Sequence, residues 1–374
     1  MRDRARRGTL AIVALITGLA AAAAPAAARP PRAPNAHAYA PPPGRSFHGV
    51  SGTRGRNREF QQFRHRVGAH PAVLEDFFPW NTALTAGALQ LWHRTSTRGM
   101  LSLSTRAGDG SEILRPGQIA NGLGDQYIVR LNRSIAAAGQ IVYIRLFPEM
   151  NGFWNPYCAF NRDGTPRSPG HSSKSFRQAW RRFAIIVRGG SLEGINRRLV
   201  SMGMPRLLRG GANDAGAYRA EGVGKRLARP KVAMVWNPQT IGDPDTAANR
   251  PDRYWPGRRY VDWVGADIYS KYATPGIRAA LDRFYHAYRG LPFEIGEYSP
   301  WDGDPNGAFV RWLFGWARER PRVRMLVYYR STYANSVYDI NHYPAARRTL
   351  RRILDEPRWV SYPARTRLGP HGSG

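Results

Sequence analysis

The chain has almost no cysteine, few lysines and a shortage of acid. Its one cysteine, Cys158, excludes an intrachain disulfide framework and a zinc site built on several thiolates. A lone thiol of this kind reads as a small buried apolar residue. Only Lys174, Lys225, Lys231 and Lys271 are lysines among 56 basic residues, so arginine carries nearly all the positive charge. With 26 acidic residues against them, the formal net charge is +30. That balance has two readings: attraction to an anionic polymer or envelope, or a solvated basic surface reflecting arginine-rich coding. Beyond residue 28 no apolar run approaches the roughly 20 residues of a membrane span. There is no Gly-rich dinucleotide fingerprint and no repeat of short fixed period. What is present is a chain of 374 residues, 42% hydrophobic and 11% aromatic, which excludes global disorder.

The first 28 residues read as an export signal. Arg2, Arg4, Arg6 and Arg7 form a positive region, Leu10 to Leu19 an apolar one, and Ala26-Ala27-Ala28 a small-residue cleavage site. The rival, an uncleaved anchor, needs a longer span than Leu10 to Ala24 supplies. A secreted protein, extracellular or wall-associated and with no transmembrane helix once mature, is the expectation. Residues 29–45, rich in Pro and Ala, read as a stiff spacer. Residues 46–364 read as one domain and residues 365–374 as a disordered tail. A monomer is expected.

Eight short apolar runs punctuate that domain: Phe47–Ser51, Val73–Phe77, Met100–Ser104, Ile141–Leu146, Val232–Asn237, Trp263–Ile268, Phe293–Glu297 and Met325–Tyr329. Continuous runs of this length suit strands buried on both faces of a parallel sheet. Amphipathic helices are predicted between them over Asp125–Ala138, Ser175–Arg188, Gly276–Arg289, Gly307–Arg320 and Ala345–Leu354. Eight strands alternating with helices predict an α/β fold of the (β/α)8 TIM-barrel type, with an open doubly wound sheet as the alternative. Residues 201–229 read as a loop insertion.

Chemistry in such a barrel collects where strands end. At the end of the fourth run and just past it come Arg145, Glu149 and Asn151, polar groups that are costly to bury unless they interact. In the seventh, alternation places Phe293, Ile295 and Glu297 on one face and Glu294 on the other, which makes Glu297 the candidate inward carboxylate. Glu149 and Glu297 could flank a glycosidic bond, one protonating the leaving oxygen while the other attacks the anomeric carbon. The rival reading is a pair of helix-capping or arginine-paired glutamates.

The segment Gly124 to Trp154, GDQYIVRLNRSIAAAGQIVYIRLFPEMNGFW, resembles the acid/base segment of glycoside hydrolase family 26, which contains β-mannanases and related endoglycanases. Four further blocks follow in family order: FRQAWRRFAIIVRGG, VAMVWNPQ, YWPGRRYVDWVGADIYS and LPFEIGEYSP. The resemblance covers most of residues 120–300. It implies Glu149 as acid/base, Glu297 as nucleophile, and Arg145 as the cation keeping that nucleophile ionised. It further implies Trp154 as a sugar platform, with Asp267 and Tyr269 facing the reacting sugar. Trp236 and Asn237, ending the fifth strand, are candidate subsite residues, and Tyr157 a smaller platform. One position departs from the family, whose members carry a His before the acid/base where this chain has Pro148. A pyrrolidine ring cannot donate a hydrogen bond.

The activity so implied is a retaining, endo-acting cleavage of a β-linked polysaccharide, a mannan or a β-glucan, through carboxyl groups about 5–5.5 Å apart. It calls for no metal or organic cofactor. The alternative is a carbohydrate-binding or wall-binding pseudoenzyme on the same barrel, which Pro148 favours. Electrostatic association with an anionic cell envelope would suit the charge. A nucleic-acid partner is not expected of an exported chain.

Overall fold

A computed structural model describes residues 39–53, 56–84, 86–209, 219–220, 223–331 and 336–362. The leader, the first part of the spacer and the tail expected above lie outside these residues.

Eight parallel strands run in chain order: β1 Ser46–Ser51, β2 Val73–Pro79, β3 Arg98–Ser104, β4 Val142–Leu146, β5 Val232–Trp236, β6 Trp263–Tyr269, β7 Phe293–Ser299 and β8 Val323–Tyr329. Each pairs with its sequence neighbour, and β8 returns to β1 with Phe47 opposite Met325 and Ser51 opposite Tyr329. The sheet is closed, which settles the barrel against the open alternative. A short β9, Trp359–Val360, joins the start of β1.

Side chains alternate between two cores. Phe47, Val73, Met100, Tyr143, Val235, Trp263 and Met325 point inward and fill the lower barrel, where Tyr143 meets Trp263 edge to face at 5.5 Å. Intervening positions point outward to the helices α1 Asn57–Val67, α2 Ala86–Arg94, α3 Pro116–Ala120, α4 Asp125–Ala138, α5 Ser173–Val187, α6 Leu192–Val200, α7 Pro275–Ala287, α8 Ala308–Arg318 and α9 Pro344–Leu354. The helices form because their apolar residues recur at turn spacing, as Phe176, Ala179, Trp180 and Phe183 do on α5. Side chains cap some of these helices, α5 and α7 among them: Ser172 and Thr274 accept from the backbone N–H of Ser175 and Ile277. Asp125 at the start of α4 pairs with buried Arg182 of α5 at 2.7 and 2.5 Å, locking two helices over β4. No helix among the described residues is long and apolar enough to cross a membrane.

The insertion at 201–229 carries short strands: Arg226–Leu227 pairs with Gly190–Ser191, and Leu208–Arg209 with Arg219–Ala220. Residues 39–45, the last of the expected spacer, are docked on the barrel floor. The Tyr39 carbonyl accepts from Arg98 and the Tyr143 hydroxyl, and Arg324 donates to the carbonyls of Pro41, Pro42 and Arg45.

Candidate active site

At the opposite, C-terminal end of the strands the chain after β4 turns sharply. Phe147 and Glu149 both adopt left-handed backbone, φ 49° and 52°, a conformation that non-glycine residues hold only when neighbours enforce it. The enforcement is visible. The Phe147 N–H donates to Leu103 O at 2.8 Å and the Glu149 N–H to Asn237 O at 2.7 Å. Tyr157 donates to Pro148 O at 2.7 Å and Asn155 to Glu149 O at 2.9 Å. The turn swings the Glu149 side chain over the barrel mouth.

Glu297 reaches the same place by a bulge. Residues 266 and 267 of β6 pair with 295 and 297 of β7, so Gly296 is the extra residue. A Cβ on Gly296 would sit 2.6 Å from Asn237 Oδ1, so only glycine fits. This corrects the alternation argument. Phe293 and Ile295 face the helices, Glu294 lies inside the barrel, and Glu297 points inward because the bulge resets the pleat.

Arg145, fully buried on β4, joins three strands at one point. It donates to Glu75 on β2 at 3.0 Å, to Glu297 at 2.5 Å and to Asp267 on β6. Burial works against its charge, but Asp267, Glu297 and Glu75 outweigh burial and keep it protonated. Tyr269 donates its hydroxyl to the other oxygen of Glu297. Burial and the charge of Glu297 raise the Tyr269 pKa further, so the phenol stays a neutral donor. Glu149 accepts from Trp154 Nε1 at 3.0 Å and from Gln239 Nε2. Burial, and then the charge of Glu297, push the Glu149 carboxyl above its ordinary range.

Both glutamates line one cleft of about 740 Å³. Trp154, 39% exposed, forms one wall, its indole lying on Gly152, where a Cβ would come within 2.5 Å of the ring. Tyr269, Tyr272, Trp301, Tyr329 and Tyr338 form another wall, with Tyr338 and Trp301 ring centres 5.0 Å apart. Residues 239–245 complete it. The acidic and basic side chains among the described lining residues, tyrosines apart, are five carboxyls, Glu149, Asp243, Asp245, Asp267 and Glu297, with no lysine, arginine or histidine.

Three sequence-predicted site residues are placed elsewhere. Trp236 faces outward, fully buried among Trp255, Phe284 and Tyr288, because it falls on the helix-facing phase of β5. Tyr157 is buried against Phe147 and supports the turn through Pro148, so it offers no platform. Asn237 lies buried below the cleft and holds the Glu149 backbone. Glu75, Gln239, Tyr329 and Tyr338 were not singled out from sequence. The signal for Glu75 was an acid inside the apolar run Val73–Phe77.

Glu294, fully buried, has neither carboxyl oxygen hydrogen-bonded among the described residues, and burial pushes its pKa up to about 7. A folded-state pKa raised above the unfolded one gives stability that is present in acid and lost as pH rises through about 7. Glu294→Gln is therefore expected to stabilise the protein at pH 8, by on the order of 2 kcal/mol, and to change little at pH 5. Melting curves at both pH values check this; an equal shift at both would assign the effect to packing.

Fold and site together define a (β/α)8 barrel with a carboxylate-floored, aromatic-walled cleft at the C-terminal ends of its strands. Among solved structures the fold is similar to a GH26 β-mannanase from Bacteroides ovatus, at TM-score 0.54 and 14% identity over 88% of this chain and 95% of that one. It is also similar to GH26A from Muricauda sp., at 0.51 and 14% over 87% and 94%, and to an endo-β-1,4-mannanase double mutant from Cellulomonas fimi, at 0.53 and 12% over 87% and 74%. No family model and no curated protein matches the sequence. The likeness is one of fold.

Proposed function

We propose that this chain is a secreted, retaining, endo-acting glycoside hydrolase that cleaves a neutral β-linked polysaccharide of the mannan or glucan type. The observation carrying this reading is the meeting of Glu149 and Glu297 in one cleft in unlike surroundings. Arg145 and Tyr269 donate to the two oxygens of Glu297 and aim it. Burial, and then the Glu297 charge, push Glu149 toward its protonated form. Glu149 then protonates the glycosidic oxygen while a Glu297 oxygen bonds to the anomeric carbon and the leaving sugar departs. In the second step Glu149 takes a proton from water, the hydroxide attacks the same carbon, and Glu297 leaves as carboxylate. The likeness of fold to β-mannanases is consistent with this chemistry, and the walls of Trp154, Trp301, Tyr329 and Tyr338 suit sugar faces.

The test is product analysis on a panel of β-glycans, with the anomeric configuration followed by proton NMR from the first turnover. Retention supports the double displacement; a first-formed inverted anomer sinks it. Binding without release of reducing ends from any glycan would favour the pseudoenzyme that Pro148 suggests.

The cleft's charge also bears on substrate. Although the chain is strongly basic, the acidic and basic side chains among the cleft's described lining residues, tyrosines apart, are all carboxyls, so a uronate-bearing chain meets repulsion where it must bind. A polyuronate of the same linkage is expected to give kcat/KM at least about tenfold below the neutral chain, the gap narrowing with salt. Equal rates at low salt would contradict this. The arginine-rich exterior would then serve retention at an anionic envelope rather than catalysis.

A further inference from the structure

Both oxygens of Glu149 are already engaged, and by groups of different capability. Oε2 accepts from the indole N–H of Trp154 at 3.0 Å, and an indole nitrogen can only donate. Oε1 accepts from the side-chain amide of Gln239, which presents a donor and an acceptor a half-turn apart. Gln239 is itself held. Asn151, fully buried, accepts from the Gln239 N–H at 2.8 Å and donates to its carbonyl at 3.0 Å. Asn249 in turn donates to Asn151 O at 2.9 Å. The loops after β4 and β5 are thus fixed together so that one amide faces one carboxyl oxygen.

A hydrogen on Oε2 finds no acceptor in the indole, which can only donate, whereas the Gln239 amide can turn to accept a hydrogen on Oε1. The proton belongs on Oε1. We infer that Gln239 is a positioning residue for the acid/base: it fixes Oε1 as the proton-bearing oxygen, accepting from it in the acid form and donating to it in the base form. The inference rests on the acid/base role proposed above. In the first half-reaction the Oε1–H bond breaks toward the glycosidic oxygen, and the Gln239 amide turns to donate to the anion left behind. In the second, water surrenders its proton to Oε1 and the amide turns back. No other co-reactant is needed. Glu149 is also faced by Arg145 on β4, by Asp267 and Tyr269 on β6, by Glu297 on β7, and by Tyr157 and Tyr338 from loops. These set its overall proton affinity, and Asp267 also hydrogen-bonds Glu149; Gln239 is the uncharged partner at Oε1 that can both donate and accept.

Gln239→Met keeps the length and removes both capabilities. With the anion's donor lost, the Glu149 titration is expected to move up by about one pH unit, and the basic limb of the kcat/KM profile with it. Gln239→Glu puts a second carboxyl there and moves the titration further up once that carboxyl ionises. Carbon-13 NMR of labelled glutamate, with the Glu149 signal identified by its loss in Glu149→Gln, reads the titration without turnover. On an unactivated glycan Gln239→Met is expected to lose about 10–100-fold in kcat, and at least tenfold less on an aryl glycoside whose leaving group needs little protonation. A folded Gln239→Met with the Glu149 titration unmoved would overturn the inference. Should that variant not fold, an unmoved titration in Gln239→Glu does the same. If the titration moves but wild type hydrolyses no β-glycan, the hydrolase reading fails and control of Glu149 by Gln239 stands.

Discussion

Glu297→Ala is expected to lower kcat on any glycan the wild type cleaves by at least about 10⁴-fold, the scale on which enzymes lose rate when a nucleophile is deleted. The fold should survive, because Arg145 keeps Glu75 and Asp267 as partners when Glu297 is gone. The diagnostic result is rescue. A small anion such as azide fits the space the carboxylate vacates and attacks an activated aryl glycoside from that side, giving a glycosyl azide of inverted configuration. Glu149→Ala behaves differently: it loses most activity on unactivated glycans and much less on aryl glycosides that need no protonation. Product NMR and rates on paired substrates separate the two roles. Rescue of Glu149→Ala by azide with inversion would require the assignments to be exchanged.

The second large effect concerns stability. Arg145→Met leaves Glu75, Asp267 and Glu297 around a neutral side chain with no cation to answer them. Removing one partner of a buried ion pair costs about 3–5 kcal/mol, and here one arginine serves three. The cost depends on pH in a definite direction. Burial already pushes Glu75 up to about 8, and removing the arginine raises it further. A carboxyl raised in the folded state contributes stability in acid that disappears as pH climbs through its folded pKa. Because Glu75 in the wild type already holds its proton up to about pH 8, the deficit of Arg145→Met should be smallest near pH 7 and widen toward pH 10. Melting curves of wild type and variant at both values test this. A deficit of equal size would mean that Arg145 contributes volume rather than charge. Arg145→Lys should not restore the wild type, since an ammonium lacks the fork that spans separate carboxylates.

How much of this was readable beforehand depends on what each signal reports. The eight strands fall within two residues of the apolar runs, because strands buried on both faces leave an uninterrupted signature. Helix α1 escaped notice although Phe60, Phe63 and Val67 share one face, for its sequence NREFQQFRHRV is polar enough to read as loop. Alternation predicts the inward placement of Glu297 for a reason the strand does not obey. Alternation along β7 points Phe293, Ile295 and Glu297 the same way, and only an extra residue against β6 separates them. A bulge belongs to a pair of strands and leaves no mark in one. Trp236 was misplaced for a related reason: an aromatic ending a strand serves the helix layer or the cleft according to a phase that composition does not state. The aromatic wall from Tyr329 and Tyr338 comes from segments beyond residues 120–300, which the family resemblance does not cover.

The docked segment 39–45 has a practical consequence. It and the residues following β9, where Tyr362 stacks on His70, both leave the barrel at the floor, turned away from the sugar-sized opening. A tether fused at either of these points would hold the barrel by its base, like a cup standing on a table. Surface-immobilised protein should keep its mouth free for long chains in solution.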